Sequence, residues 1–229
     1  MGMPVRVEVR DAGGADLEPV FAWLRRVDAL FSPYRPGSEV ARLARGERFA
    51  PHPLVREVLQ RCEALRVQTR GRFDAYATGR LDPCGYVKGW AVDGAAALLE
   101  ADAFCIDAGG DVLVRGGPWR IGIRHPRRRD RLAAALAVSD AAVATSGLYE
   151  RGAHIVDPRT GTTPRGVLSV TVVGPRLATA DAYATAAFAM GADGPAWTAG
   201  LRDHRALTIL ADGRVLTTVE DDLRLPLAA

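Results

Sequence analysis

The chain is poor in the features that most quickly assign a function. It has three cysteines, Cys62, Cys84 and Cys105. An odd number with no CxxC pair indicates neither a disulfide framework nor a zinc knuckle, so a reducing compartment fits best. Neither GxGxxG nor GxxxxGK[ST] occurs, which excludes the dinucleotide-binding Rossmann turn and the P-loop. No apolar run is long enough to span a bilayer. The N-terminus, Met1 to Val9, alternates like a strand and lacks the continuous apolar stretch of a signal peptide, so the expectation is cytoplasmic residence with no membrane anchor in this chain, or export if a leader was removed. The net charge of +3 is mild, and most of the excess lies in one run, His125 to Arg131. Between two apolar segments such a run reads as a solvated loop, and with no interleaved aromatics nucleic acid is not an expected partner. There is no repeat, low-complexity tract or linker, so residues 1–229 are read as a single domain.

What is present is a large core and two periodicities. Of 229 residues, 48% are hydrophobic, enough for one sizeable domain. Leu17, Val20, Phe21, Leu24, Val27, Leu30 and Phe31 recur at helical spacing, which predicts an amphipathic helix of about four turns. Ser38 is placed to cap a short helix ending near Gly46. A further helix is predicted from Pro53 to about Thr69, with Cys62 on its inner face. Beyond residue 104 the period becomes two. Phe104 to Asp107, Asp111 to Arg115, Trp119 to Ile123, Ala133 to Val138 and Ala141 to Thr145 read as a meander, with Gly109 and Gly110 as a hairpin turn. Leu168 to Val173 is a strand, Ala178 to Phe188 a helix, and Ala206 to Val219 a hairpin about an Asp-Gly turn. The expected fold is α+β, a meandering, mostly antiparallel sheet with flanking helices.

Two stretches carry candidate chemistry. In Leu81 to Asp93 an Asp-Pro turn, Gly85, Gly89 and Lys88 precede an apolar helical run, Trp90 to Leu99, a layout that suits a polyphosphate. The same residues also suit an ordinary loop feeding a helix. Asp181 and Thr185 are four apart on a predicted helix, so their oxygens lie on one face and suit magnesium. Equally, Asp181 favours the dipole of a first turn and Thr185 bonds back to its own helix. His154 stands in a charged loop, where titration is useful, and Tyr34 stands between two prolines, where an aromatic often covers a core edge.

Eight segments, in this order, resemble the ApbE family of FAD:protein FMN transferases: Met1 to Met3, Phe31 to Glu39, Gly71 to Asp74, Leu81 to Asp93, Asp107 to Asp111, Ala144 to Arg151, His154 to Gly161 and Ala178 to Ala187. Cys84 stands where the family often has a small residue, Trp90 replaces a frequent tyrosine, and Leu148 stands where an acidic residue is common. The resemblance implies a magnesium-dependent enzyme, with manganese fitting the same oxygen site. Such an enzyme takes FAD, releases AMP and attaches FMN to a threonine of an acceptor flavoprotein. It implies a cation held by the carbonyl of Gly85 and the side chains of Asp181 and Thr185. It also implies a flavin nucleotide held by Met1, Tyr34, Arg72, Phe73, Asp74, Asp82, Lys88 and Ile155. The nucleophile belongs to the partner, so a base on this chain must take its proton; His154 is the first candidate and Asp181 the second. With water in place of threonine, the site would be that of an FAD pyrophosphatase. A non-catalytic flavin carrier would need the pocket without Asp181 and Thr185.

Overall fold

The computed structural model describes residues 2–10, 14–128, 130–147, 155–219 and 223–224. Strand β1 (Val5–Val9) leads into helices α1 (Glu18–Phe31), α2 (Glu39–Ala44) and α3 (Pro53–Gln68). The heptad-like spacing of α1 buries Val20, Leu24, Val27 and Phe31. Ser38 caps α2, its hydroxyl accepting the Ala41 N–H at 3.1 Å. Pro53 opens α3, and Val55, Val58, Cys62 and Leu65 form its inner face. Burial pushes the Cys62 thiol up to about 12, so this cysteine is packing rather than chemistry.

Helix α4 (Cys84–Ala96) starts earlier than the sequence suggests. Gly85, Lys88 and Gly89 do not form a loop ahead of the helix; they are inside it. The reason is packing. A Cβ on Gly89 would lie 2.6 Å from the Ala178 nitrogen and nearer still to the Leu177 carbonyl, so the glycine admits the start of a second helix, α5 (Leu177–Ala189). Asp93, one turn after Gly89, accepts hydrogen bonds from the backbone N–H groups of Leu177 and Ala178 at 2.9 and 3.1 Å. It thereby supplies to α5 the cap that Arg176, at its N-cap, does not.

The strands also depart from a single meander. β2 (Phe104–Ala108), β3 (Asp111–Arg115), β4 (Trp119–Arg124), β5 (Leu132–Val138), β6 (Ala142–Gly147), β7 (Val167–Gly174), β8 (Arg205–Leu210), β9 (Val215–Thr217) and β10 (Leu223–Arg224) complete the strands, with a short helix, α6 (Gly194–Ala199), before β8. Seven form one sheet in the order β1-β2-β3-β6-β7-β8-β9, while β10-β5-β4 form a second sheet of three. All pairings are antiparallel. The β4–β5 hairpin leaves the large sheet because that sheet is covered on both faces. Leu113, Ala142, Ala144, Val170 and Val172 face the helices, whereas Val112, Val114 and Val143 face a second core with Trp119, Ile123 and Leu136. Alternation along β3 and β6 therefore sends successive side chains to different cores. Among the described residues, no helix is long and apolar enough to cross a membrane.

Candidate functional site

The site lies where α4, α5 and one end of the large sheet meet. The β2–β3 turn is Gly109-Gly110, with φ of 65° and 93°, the two left-handed positions of a tight hairpin turn. Asp107 tightens it by accepting the Gly110 N–H at 2.8 Å. The next residue, Asp111, shares a face with Leu113 and so points toward the helices. On β6 the same parity places Ser146 with Ala142 and Ala144. Helix α5 presents Asp181 and Thr185, one turn apart, to this face.

A cavity of about 230 Å³ opens among these elements. Its floor includes Gly85, Lys88, Ser146, Asp181 and Thr185, and its walls include Tyr34, Phe73, Asp82 and Ile155. The two halves of the chain that carry the charged residues thus converge. The Lys88 ammonium contacts the Asp111 carboxylate and stands 3.5 Å from an Asp181 oxygen. Both carboxylates are buried, with Asp111 2% and Asp181 3% exposed. Asp111 is further fixed by the Thr145 N–H, which donates to its second oxygen at 2.9 Å. The hydroxyls of Thr185 and Ser146 lie 3.2 Å apart. A Cβ on Gly85 would stand 3.3 Å from the Phe73 ring and 3.7 Å from the Thr185 hydroxyl, so Gly85, Phe73 and Thr185 adjoin one another.

Of the residues named from sequence, the cavity brings together Tyr34, Arg72, Phe73, Asp74, Asp82, Gly85, Lys88, Ile155, Asp181 and Thr185. Tyr34 is 73% exposed at the mouth, an unusual state for a large aromatic and one that fits a stacking surface. Arg72 lines the cavity but is held from behind, its guanidinium donating to the Asp157 carboxylate at 3.0 Å. Asp74 and Asp82 each spend one oxygen on a local turn, accepting the N–H groups of Tyr76 and Cys84. The Asp82 N–H donates to the Ala75 carbonyl at 2.7 Å, which ties the Arg72 to Asp74 segment to the start of α4. Met1 and His154 lie outside the described residues, as do Leu148 to Arg151. Cys84 lines the cavity.

Four residues of consequence lie inside the matching segments but receive no role from sequence: Asp111, Ser146, Asp157 and Asp93. Asp111 carries a signal, a carboxylate opening a strand directly after a glycine turn. The placement of Ser146 follows from alternation into a shared core, which is invisible without the partner helix.

The donor set is one of hard oxygens. Among the described residues, no three His, Cys, Asp or Glu side chains gather as a ligand cluster. A single carboxylate beside neutral oxygens, as in Asp181 and Thr185, is the kind of incomplete shell that magnesium accepts when substrate phosphates supply the rest.

Comparison with known proteins bears on the family and the fold. The model of the ApbE family matches residues 1–79 and 75–208. The chain is 38% identical over 162 residues to a protein of Rhodobacter capsulatus named FAD:protein FMN transferase, an alignment covering 64% of this chain and 31% of that protein. It is 33% identical over 172 residues to the Treponema pallidum protein of the same name, covering 60% and 48%. The chain thus aligns with about a third to a half of the length of these curated relatives. Among solved structures, the ApbE protein of Thermotoga maritima superposes with a TM-score of 0.81 over 93% of both chains at 24% identity. The flavin transferase ApbE of Vibrio cholerae gives 0.78 over 98% of this chain and 93% of that one, at 23% identity. At such identities the structural likeness is one of fold.

Proposed function

The chain belongs to the ApbE family, and from that premise we propose that it is an FAD:protein FMN transferase. It cleaves FAD, releases AMP and joins FMN through a phosphoester to a threonine hydroxyl of an acceptor flavoprotein. The observation that carries the reading is the convergence of Lys88, Asp181 and Thr185 on the floor of a cavity whose mouth holds Tyr34.

In the reaction, the bond between the FMN phosphorus and the AMP phosphate oxygen breaks, and a bond from that phosphorus to the threonine oxygen forms. The hydroxyl proton passes to a base, and AMP leaves with the bridging oxygen. Phosphoryl transfer asks the protein mainly for placement and charge. Lys88 faces the pyrophosphate and offsets its charge. Tyr34, at the mouth, gives a planar surface for the flavin or adenine ring. Phe73 and Ile155, 3% and 8% exposed, line the cavity with apolar surface and exclude water from the phosphorus. Asp181, Thr185 and the carbonyl of Gly85 would hold magnesium, or manganese in its place, which supplies charge neutralisation at the phosphate oxygens. His154, adjacent in sequence to the cavity-lining Ile155, is assigned the base, with Asp181 as the alternative.

The test is to incubate the protein with FAD and Mg²⁺, with and without a flavoprotein domain bearing an exposed threonine, and to read acceptor mass together with AMP. The expected result is an acceptor heavier by one FMN and an equal amount of AMP. In Asp181→Ala both should fall by about 10²–10³-fold, the scale on which a charge-stabilising group is lost. AMP without acceptor modification would instead assign hydrolysis, and retained FAD with neither product would assign a carrier.

A further inference from the structure

Behind the cavity floor stands a carboxylate that the proposed reaction does not use. Asp111 is not among the residues lining the cavity, yet its side chain is in contact with the ammonium of Lys88, which is. It is rigidly held. It opens β3 directly after the two-residue turn, it is 2% exposed, and its other oxygen takes the Thr145 N–H. Lys88 therefore lies between two carboxylates, in contact with one and 3.5 Å from the other.

We infer that Asp111 is the positioning residue for Lys88, drawing its ammonium back from Asp181 so that Asp181 serves a divalent cation. The inference rests on the reading of the site as one for a cation and a pyrophosphate, and it concerns how this chain keeps the two positive charges apart. A lysine with one carboxylate within reach closes on it, because a buried charge without a partner is costly. Given two carboxylates, it bridges both and sits nearer the one behind. The charges agree. Two carboxylates and one ammonium leave one negative charge, which a divalent cation reverses and a pyrophosphate then meets. Without Asp111 the remaining pair is already neutral, and a cation must displace Lys88 to bind.

The experiment measures Mn²⁺ binding by titration calorimetry, without FAD, in the wild-type protein, Asp111→Asn, Lys88→Met and the double variant. Asparagine is isosteric and keeps the acceptor for the Thr145 N–H. Asp111→Asn is expected to bind Mn²⁺ about tenfold more weakly, the lower end of the range for residues that orient metal ligands. The double variant should regain wild-type affinity, since the competing ammonium is gone; a merely structural role for Asp111 would not be rescued by removing Lys88. Unchanged binding in Asp111→Asn, or a double variant as weak as the single one, overturns the inference while leaving the proposed function standing. A wild-type protein that binds no Mn²⁺ overturns both. Should Asp111→Asn not fold, Asp111→Ser is measured in its place, alone and with Lys88→Met, against the same outcomes.

Discussion

On one face of the large sheet, α4 and α5 lie backbone against backbone, Gly89 against Leu177 and Ala178, with alanines filling most of the remaining α5 surface. On the other face, large side chains do the filling. Trp119, Ile123 and Leu136 of the small sheet pack onto Val112, Val114 and Val143. Every described residue assigned to the proposed chemistry lies on the first side or at its edge. The difference is one of tolerance. A truncation in a core of large apolar side chains costs stability locally, whereas two helices held in backbone contact transmit any displacement to the groups they carry. Asp181 sits one turn beyond the contact with Gly89, and Lys88 sits beside Gly89 itself. The small sheet acts as support, and the helix pair is the instrument.

The comparison is sharpened first by a truncation in the supporting core. Leu136 is 1% exposed between the two sheets. Leu136→Ala is expected to cost about 2–5 kcal/mol, from lost transfer energy and the cavity left behind. Urea unfolding reads the loss. The transfer rate per folded molecule should be unchanged, and a parallel fall in rate would break the distinction between support and instrument.

The opposite test adds a single methyl group to the helix pair. In an isolated helix Gly→Ala is favourable by about 1 kcal/mol. In Gly89→Ala the new Cβ meets backbone atoms of Leu177 and Ala178, which cannot rotate aside. Overpacking of about 1–3 kcal/mol therefore outweighs the propensity gain, and the net effect is a loss of stability. The smaller loss should carry the larger functional cost. Displacing α5 moves Asp181 and Thr185 relative to Lys88, so transfer by the folded variant should fall well below that of Leu136→Ala.

These two cores were not equally legible in the sequence. The amphipathic helices α1 and α3, the Ser38 cap, the Gly109-Gly110 hairpin and the strands each follow from local periodicity, and the structure has them within a few residues. The membership of those strands in two sheets does not follow, because β3 and β6 each carry an unbroken apolar stretch, Val112 to Val114 and Ala142 to Ala144, and such a stretch does not say which face meets which partner. Helix α4 was partly hidden for a related reason. Gly85 and Gly89 look like turn signals, and only the approach of α5 explains glycine inside a helix. The site followed the same division. Motifs gave roles to Lys88, Asp181 and Thr185, whereas Asp111 and Ser146, though inside two of the matching segments, gained a place in the site only when strand parity turned them toward the helices.

Asp93 gives the smallest of these effects and the most direct view of the helix pair. Its carboxylate reaches from α4 to the first two N–H groups of α5, and its side chain is 8% exposed, with Arg176 3.5 Å away on the solvent side. The role is that of an N-cap supplied by another helix. Asp93→Ala leaves two backbone donors without that partner, and a lost cap costs about 0.5–2 kcal/mol. Water reaches part of this helix end, which places the expected value near the middle of that range, about 1 kcal/mol in urea unfolding. Asp93→Asn keeps one acceptor oxygen and should recover part of it. The readout that separates capping from bulk stability is Mn²⁺ affinity. Loosening the first turn of α5 frays the helix just ahead of Asp181, so binding should weaken in Asp93→Ala, recover partly in Asp93→Asn, and stay unchanged in the more destabilised Leu136→Ala. Equal Mn²⁺ affinity in all three variants would mean that the alanine-rich packing of α5 positions Asp181 without help from the cap.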